Sequence, residues 1–83
     1  MAWIEENKKL VKHFQFDNFI AAVKFINHLT PIAEGLNHHP DIYLYNYNKI
    51  KITIYTHTSN ELTENDYILA NQIDTLIYPL SHN

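Results

Sequence analysis

Polar and apolar positions alternate through Leu10-Val11-Lys12-His13-Phe14-Gln15-Phe16, with Leu10, Phe14 and Phe16 on one side and Val11, His13 and Gln15 on the other. Period two with aromatic enrichment predicts a strand. The shorter run Trp3-Ile4-Glu5-Glu6 precedes it, and Asn7-Lys8 between the two predicts a tight hairpin turn. Asp17 then stands where a helix N-cap is expected, its carboxylate accepting a first-turn amide hydrogen. From Asn18 to Thr30 the apolar residues Phe19, Ala22, Val23, Ile26 and Leu29 fall at three- and four-residue spacing, the stripe of a packed helix. Pro31 predicts a stop or bend near Thr30, with Gly35 closing any extension through Ile32, Ala33 and Glu34.

Two further β-rich runs, Asp41–Tyr47 and Ile50–His57, flank a turn expected around Asn48-Lys49. A turn centred there pairs Tyr47 with Ile50, Tyr45 with Ile52 and Tyr43 with Ile54, so that all six share one face. Carried outward, the same register sets His57 opposite Pro40, at the strand end where His38 and His39 enter. The last element opens at Leu62-Thr63-Glu64-Asn65-Asp66, with Thr63 as N-cap and Asp66 three residues on in the manner of a capping box. Leu69, Ala70, Ile73, Leu76, Ile77 and Leu80 make its buried stripe, and Pro79 is expected to limit its end. The predicted fold is α+β in two layers, with order β-β-α-β-β-α: a four-stranded antiparallel sheet carrying both helices on one face.

Length narrows the picture next. Eighty-three residues allow one domain, and a domain this small often leans on association with other copies. The absence of cysteine removes disulfides, thiolate metal sites and a cysteine nucleophile together. Six basic residues against nine acidic ones give a net charge of −3, the wrong sign for a nucleic-acid groove, so direct DNA or RNA binding is not expected. The opening MAWIEENKK carries two acids and has no apolar run behind it, and neither a signal peptide nor a membrane anchor is expected.

Of the six histidines, His13, His28 and His82 stand alone and read as surface residues. His38-His39 before Pro40 differs, because the hairpin brings His57 toward it. Imidazole donates or accepts a proton near neutral pH, so such a gathering suits acid–base chemistry. A zinc site is the competing reading, since imidazole is a favoured ligand. Adjacent residues of an extended chain face opposite ways, so a metal would need His57, one of the pair, and Glu34 or Asp66. No HxH or HxxxH spacing supports that. For Asp66 capping is the plain role. For Glu34 the alternatives are an exposed helix-end carboxylate or a partner that orients His38.

Glu34-Gly-Leu-Asn-His38-His39-Pro40, Tyr47, His57 and Leu62-Thr63-Glu64-Asn65-Asp66, taken together in order and spacing, resemble the pterin-4a-carbinolamine dehydratase family. Phe14-Gln15-Phe16-Asp17-Asn18-Phe19 agrees, and the likeness runs from Trp3 to about Ile77. The resemblance implies a hydro-lyase that converts 4a-hydroxytetrahydropterin to quinonoid dihydropterin and water, in recycling the tetrahydropterin used by aromatic amino acid hydroxylases. It implies His38 and His57 as acids for the departing hydroxyl, each suited to one face of the pterin. His39 would bind substrate and could serve as base, while Glu34, Pro40 and Asp66 would support the site. It further implies no metal or organic cofactor, a cytoplasmic location, a homodimer or homotetramer, and no membrane association. A non-catalytic dimerisation or assembly partner, like the transcriptional coactivators among animal relatives, is the alternative. Family members commonly carry a helix ahead of the position of Trp3, which this sequence does not show. Pro31 lies within what resembles their continuous first helix, so Glu34 and His38 are expected to approach from a shifted angle.

Overall fold

The structure, a computed structural model, describes the backbone from residue 2 to residue 81 and the side chains as far as residue 77. Six elements follow in the order strand, strand, helix, strand, strand, helix: β1 (Ile4–Glu6), β2 (Lys9–Gln15), α1 (Phe19–Leu36), β3 (Asp41–Tyr45), β4 (Lys49–Ile54) and α2 (Glu64–Ser81). The four strands form one antiparallel sheet in the order β1-β2-β4-β3, the α+β arrangement expected from the pattern.

Left-handed turns join the strands. Asn7 (φ 53°) and Lys8 (φ 60°) make the two-residue turn between β1 and β2, the twist-matched geometry of a tight hairpin. With a single glycine in the chain, asparagine takes the left-handed positions: Asn7, Asn37, Asn46 and Asn60 are four of the six positive-φ residues described.

The second hairpin departs from expectation by three residues. Its loop is Asn46-Tyr47-Asn48, and Tyr45 pairs with Lys49, Leu44 with Ile50 and Ile42 with Ile52. An odd shift reverses which face of β3 looks inward. Ile42 and Leu44 therefore lie opposite the buried Ile52 and Ile50, whereas Tyr43 and Tyr45 face outward and stack with ring centroids 5.1 Å apart. Matching aliphatic to aliphatic on the core face is the physical reason for the change. The buried Asn48 helps hold the loop: its Nδ2 donates to the Phe16 carbonyl at 2.8 Å, and its own carbonyl accepts from Phe16 N–H at 2.9 Å.

The N-cap of α1 is Asn18, not Asp17, with its side-chain oxygen accepting from Ala21 N–H at 2.8 Å. The helix runs on through Pro31. Asn27, whose carbonyl loses its usual partner to the proline, lies with Pro31 on the exposed side, where water can serve that carbonyl. Gly35 stays inside the helix, and the cap is Asn37 in the left-handed region (φ 51°, ψ 42°). Its N–H bonds back to Glu34, and His38 N–H bonds to Ala33, each at 3.1 Å, in a Schellman closure. At α2 the Asp66 carboxylate does return to Thr63 N–H, at 2.7 Å. Pro79 does not end α2, which continues to Ser81. The side chain of Leu80 and all of His82 lie outside the described residues.

The buried stripe of α1 is Ala22, Phe25, Leu29 and Ala33. Phe25 sets its ring 5.1 Å from both Phe14 and Phe16, and Phe19, assigned to the stripe from spacing, is half exposed. The four buried residues of α1, with Phe14 and Phe16, join Leu10, Ile50, Ile52, Ile54, Leu69, Ala70 and Ile73 in one cluster, so both helices cover the same face of the sheet. Asp74 of α2 accepts from Lys12 Nζ at 2.9 Å and Trp3 Nε1 at 3.0 Å, tying the start of the chain to that helix.

Candidate active site

The sheet places the start of β3 and the end of β4 side by side, so the residues before one and after the other meet at one rim. The Schellman turn at Asn37 brings the chain off α1 toward that rim and delivers His38 and His39. His57 arrives from the end of β4, where a bridge between Thr56 and Glu61 folds the following loop back. The register does not pair His57 with Pro40, because β3–β4 pairing ends at Asp41 and Thr53. The approach survives nonetheless. His38, His39 and His57 line one open hollow of about 300 Å³ with Asn37, Thr56, Thr58 and Asn65.

Two of the imidazoles meet carboxylates and the third meets an aromatic ring. His38 Nε2 lies 2.5 Å from Asp66 Oδ1, and His39 Nε2 lies 2.5 Å from Glu34 Oε2. Glu34 thus partners His39, one helical turn and a cap away, and Asp66 takes the place beside His38 that spacing offered to Glu34. The His57 ring stacks on Tyr55, with centroids 4.4 Å apart and planes inclined by 28°.

Asp66 is fully buried and every oxygen is used. Oδ1 faces His38, while Oδ2 accepts from Thr63 N–H at 2.7 Å and the Thr56 hydroxyl at 2.9 Å. The Thr63 hydroxyl lies 2.7 Å from that of Thr56 and completes the chain of hydroxyls. Burial by itself pushes the Asp66 carboxyl up. Hydrogen bonds from His38, Thr63 N–H and Thr56, together with attraction to the His38 ring, outweigh it and hold the group below its ordinary value. An ionised carboxylate can only accept, so His38 presents Nε2–H to it and keeps Nδ1 as its other exchangeable position. One residue therefore caps α2 and sets the tautomer of His38.

Pro40 is half buried between His39 and β3. Tyr47, the aromatic of the sequence pattern, sits in the hairpin loop at the far end of the strands from the hollow. His13 and His28 are outside it: His13 meets the Tyr45 hydroxyl at 3.3 Å, and His28 Nδ1 bonds to the Lys24 carbonyl at 2.8 Å, both exposed. Thr56 escaped the sequence reading. Its only signal was adjacency to His57, since its bond to Asp66 spans ten positions. Among the described residues no group of three or more His, Cys, Asp or Glu is arranged to hold a metal ion, and no helix is long and apolar enough to cross a membrane.

Fold and hollow together define a two-layer α+β domain with a histidine-lined polar site. The family model for pterin 4 alpha carbinolamine dehydratase matches residues 1–76, and the chain belongs to that family. A Sulfolobus acidocaldarius protein named "Putative pterin-4-alpha-carbinolamine dehydratase" is 40% identical over 74 residues, covering 89% of this chain and 80% of its own length. A Prochlorococcus marinus protein of the same name is 43% identical over 76 residues, 92% of this chain and 79% of its own. The crystal structure of a transcriptional coactivator/pterin dehydratase from Brucella melitensis superposes with a TM-score of 0.80 at 29% identity, covering 88% of this chain and 79% of that one. A pterin dehydratase-like protein identified as a RuBisCO assembly factor in the alpha-carboxysome shares the fold, with a TM-score of 0.71 at 22% identity over 90% of this chain and 86% of that one.

Proposed function

We propose that this protein is a hydro-lyase that removes water from 4a-hydroxytetrahydropterin, with imidazoles moving the protons. The observation that carries this reading is the gathering of His38, His39 and His57 on one polar hollow, two of them backed by carboxylates. The reaction needs little else. The lone pair of the neighbouring ring nitrogen expels the 4a-hydroxyl as the C4a–O bond breaks, provided an acid supplies the departing oxygen with a proton. A base then takes the proton from that nitrogen, and quinonoid dihydropterin and water result. His38 and His57 supply the acid role in this account, each toward one face of the pterin, and His39, steadied by Glu34, binds substrate and accepts the nitrogen-bound proton. Asp66 acts through His38 as a positioning residue. The amides of Asn37 and Asn65 offer donors and acceptors suited to a polar heterocycle.

The test is turnover of synthetic 4a-hydroxytetrahydropterin by the wild type, His38→Ala, His57→Ala and the double variant. Each single change should lower kcat by about 10²-fold or more, the usual worth of a positioned acid. Equal rates for wild type and double variant would remove the catalytic assignment.

A second reading draws on the open edge of the sheet. Among the described residues β3 has no partner on one side, and it exposes Ile42 and Tyr43; such an edge suits strand addition by another copy, to give a dimer or tetramer, or by a different protein. An inactive chain that still associates through β3 would favour a scaffold role.

A further inference from the structure

His38 and His39 are each oriented by a carboxylate on a ring nitrogen, and His57 has no such partner among the described residues. Its described ring contact is Tyr55 at 4.4 Å, and the Lys9 ammonium lies 4.3 Å from the centre of that same Tyr55 ring. The sheet explains the column. Leu10 pairs with Ile54, so Lys9 and Tyr55 fall opposite each other one step further out, and the stack of His57 on Tyr55 puts both rings on one side. The half-buried Tyr55 is thereby braced against β2 while His57, itself exposed, lies in the loop beyond β4.

We infer that Tyr55 is a positioning residue for His57: stacking fixes the imidazole at the hollow without occupying either ring nitrogen, and Lys9 steadies Tyr55. A carboxylate partner engages one nitrogen of an imidazole. An aromatic partner leaves both available for protons. The site then holds two kinds of histidine, carboxylate-oriented and ring-oriented, and neither ring nitrogen of the second kind is engaged by a carboxylate among the described residues. Offset stacking of aromatic rings is worth enough to hold one rotamer over others, and misplacing a reacting group costs rate rather than affinity. The catalytic consequence rests on the dehydratase reading; the brace itself does not.

Proton NMR of the full chain separates the two. His57 ring resonances, assigned by comparison with His57→Gln, should lie upfield of ordinary histidine positions because of the Tyr55 ring current. They should move back in Tyr55→Leu and stay in Tyr55→Phe. In the same variants Tyr55→Leu should lower kcat about threefold to tenfold with KM little changed, and Tyr55→Phe should restore it. Wild-type His57 resonances at ordinary positions would overturn the brace, whether or not the Tyr55 variants fold. Unchanged kcat in Tyr55→Leu, in an enzyme that loses activity with His57→Ala, would overturn the positioning role. If wild type and the His38→Ala/His57→Ala double variant turn over equally, the dehydratase reading falls, and the resonance shift alone decides whether Tyr55 holds the ring.

Discussion

Replacing Asp66 by asparagine keeps the shape of the side chain and removes its charge. The structure directs four hydrogen bonds onto that carboxylate, from His38 Nε2, Thr63 N–H, the Thr56 hydroxyl and, at 3.4 Å, the Thr63 hydroxyl. The amide oxygen can keep Thr63 and Thr56 as neutral bonds. The amide NH₂ then faces His38, which must shift its hydrogen to Nδ1 to accept it. Bonds to an ionised acceptor are worth roughly 1.5–3 kcal/mol against about 1 kcal/mol for neutral ones. Part of that gain is returned because the amide is cheaper to bury than a carboxylate, which leaves a loss of about 2 kcal/mol at pH 7. In a domain of this size that lowers Tm by about 8–16 °C. The loss should depend on pH in a definite direction. A folded-state pKa below the unfolded one stabilises the native state above the unfolded value, near 4, and that contribution fades as pH falls through the folded value. Wild type should therefore lose stability in acid faster than Asp66→Asn, and the gap between them should close. Urea denaturation followed by circular dichroism at pH 7, 5 and 3, at one protein concentration, measures it. A gap that is absent at pH 7, or equal at pH 7 and pH 3, would refute the account of Asp66 as a buried, ionised hub.

Other expectations are simpler. Phe25→Ala should destabilise by about 3–5 kcal/mol in chemical denaturation, because the fully buried ring lies between Phe14 and Phe16; a loss under 1 kcal/mol would show that the core is not packed around it. Gly35→Ala should raise stability by about 0.5–1 kcal/mol, since the residue is helical and an added Cβ meets nothing within 4 Å. A decrease would place Gly35 in a strained turn. Asn37→Ala should destabilise by about 1 kcal/mol through its left-handed cap, and Asn37→Gly should not. Equal losses for the two would mean that backbone conformation is not what Asn37 supplies. Glu34→Gln should alter turnover far less than Asp66→Asn, because the Glu34–His39 pair is exposed and well solvated; the reverse order would exchange their roles.

Local pattern alone predicted the six elements, the Asn7-Lys8 turn, the antiparallel layering and the gathering of three histidines at one rim. These follow from periodicity, turn chemistry and strand direction, all short-range properties. Register was beyond it. Tyr43 and Tyr45 suit a buried face by composition, and only the chance to set Ile42 and Leu44 against Ile52 and Ile50 decides that they face outward. Helix ends were likewise misjudged at Asp17, Gly35 and Pro79: a neighbouring asparagine caps α1 at each end, and α2 runs on to Ser81. The site divides the same way. Its residue types are written along the chain, but their partners are not: Glu34 goes to His39 because a Schellman turn reverses the chain between them, and Asp66 goes to His38 because α2 packs beside α1. A carboxylate finds its imidazole through space, across 28 positions in the second case, and sequence spacing carries no record of that distance.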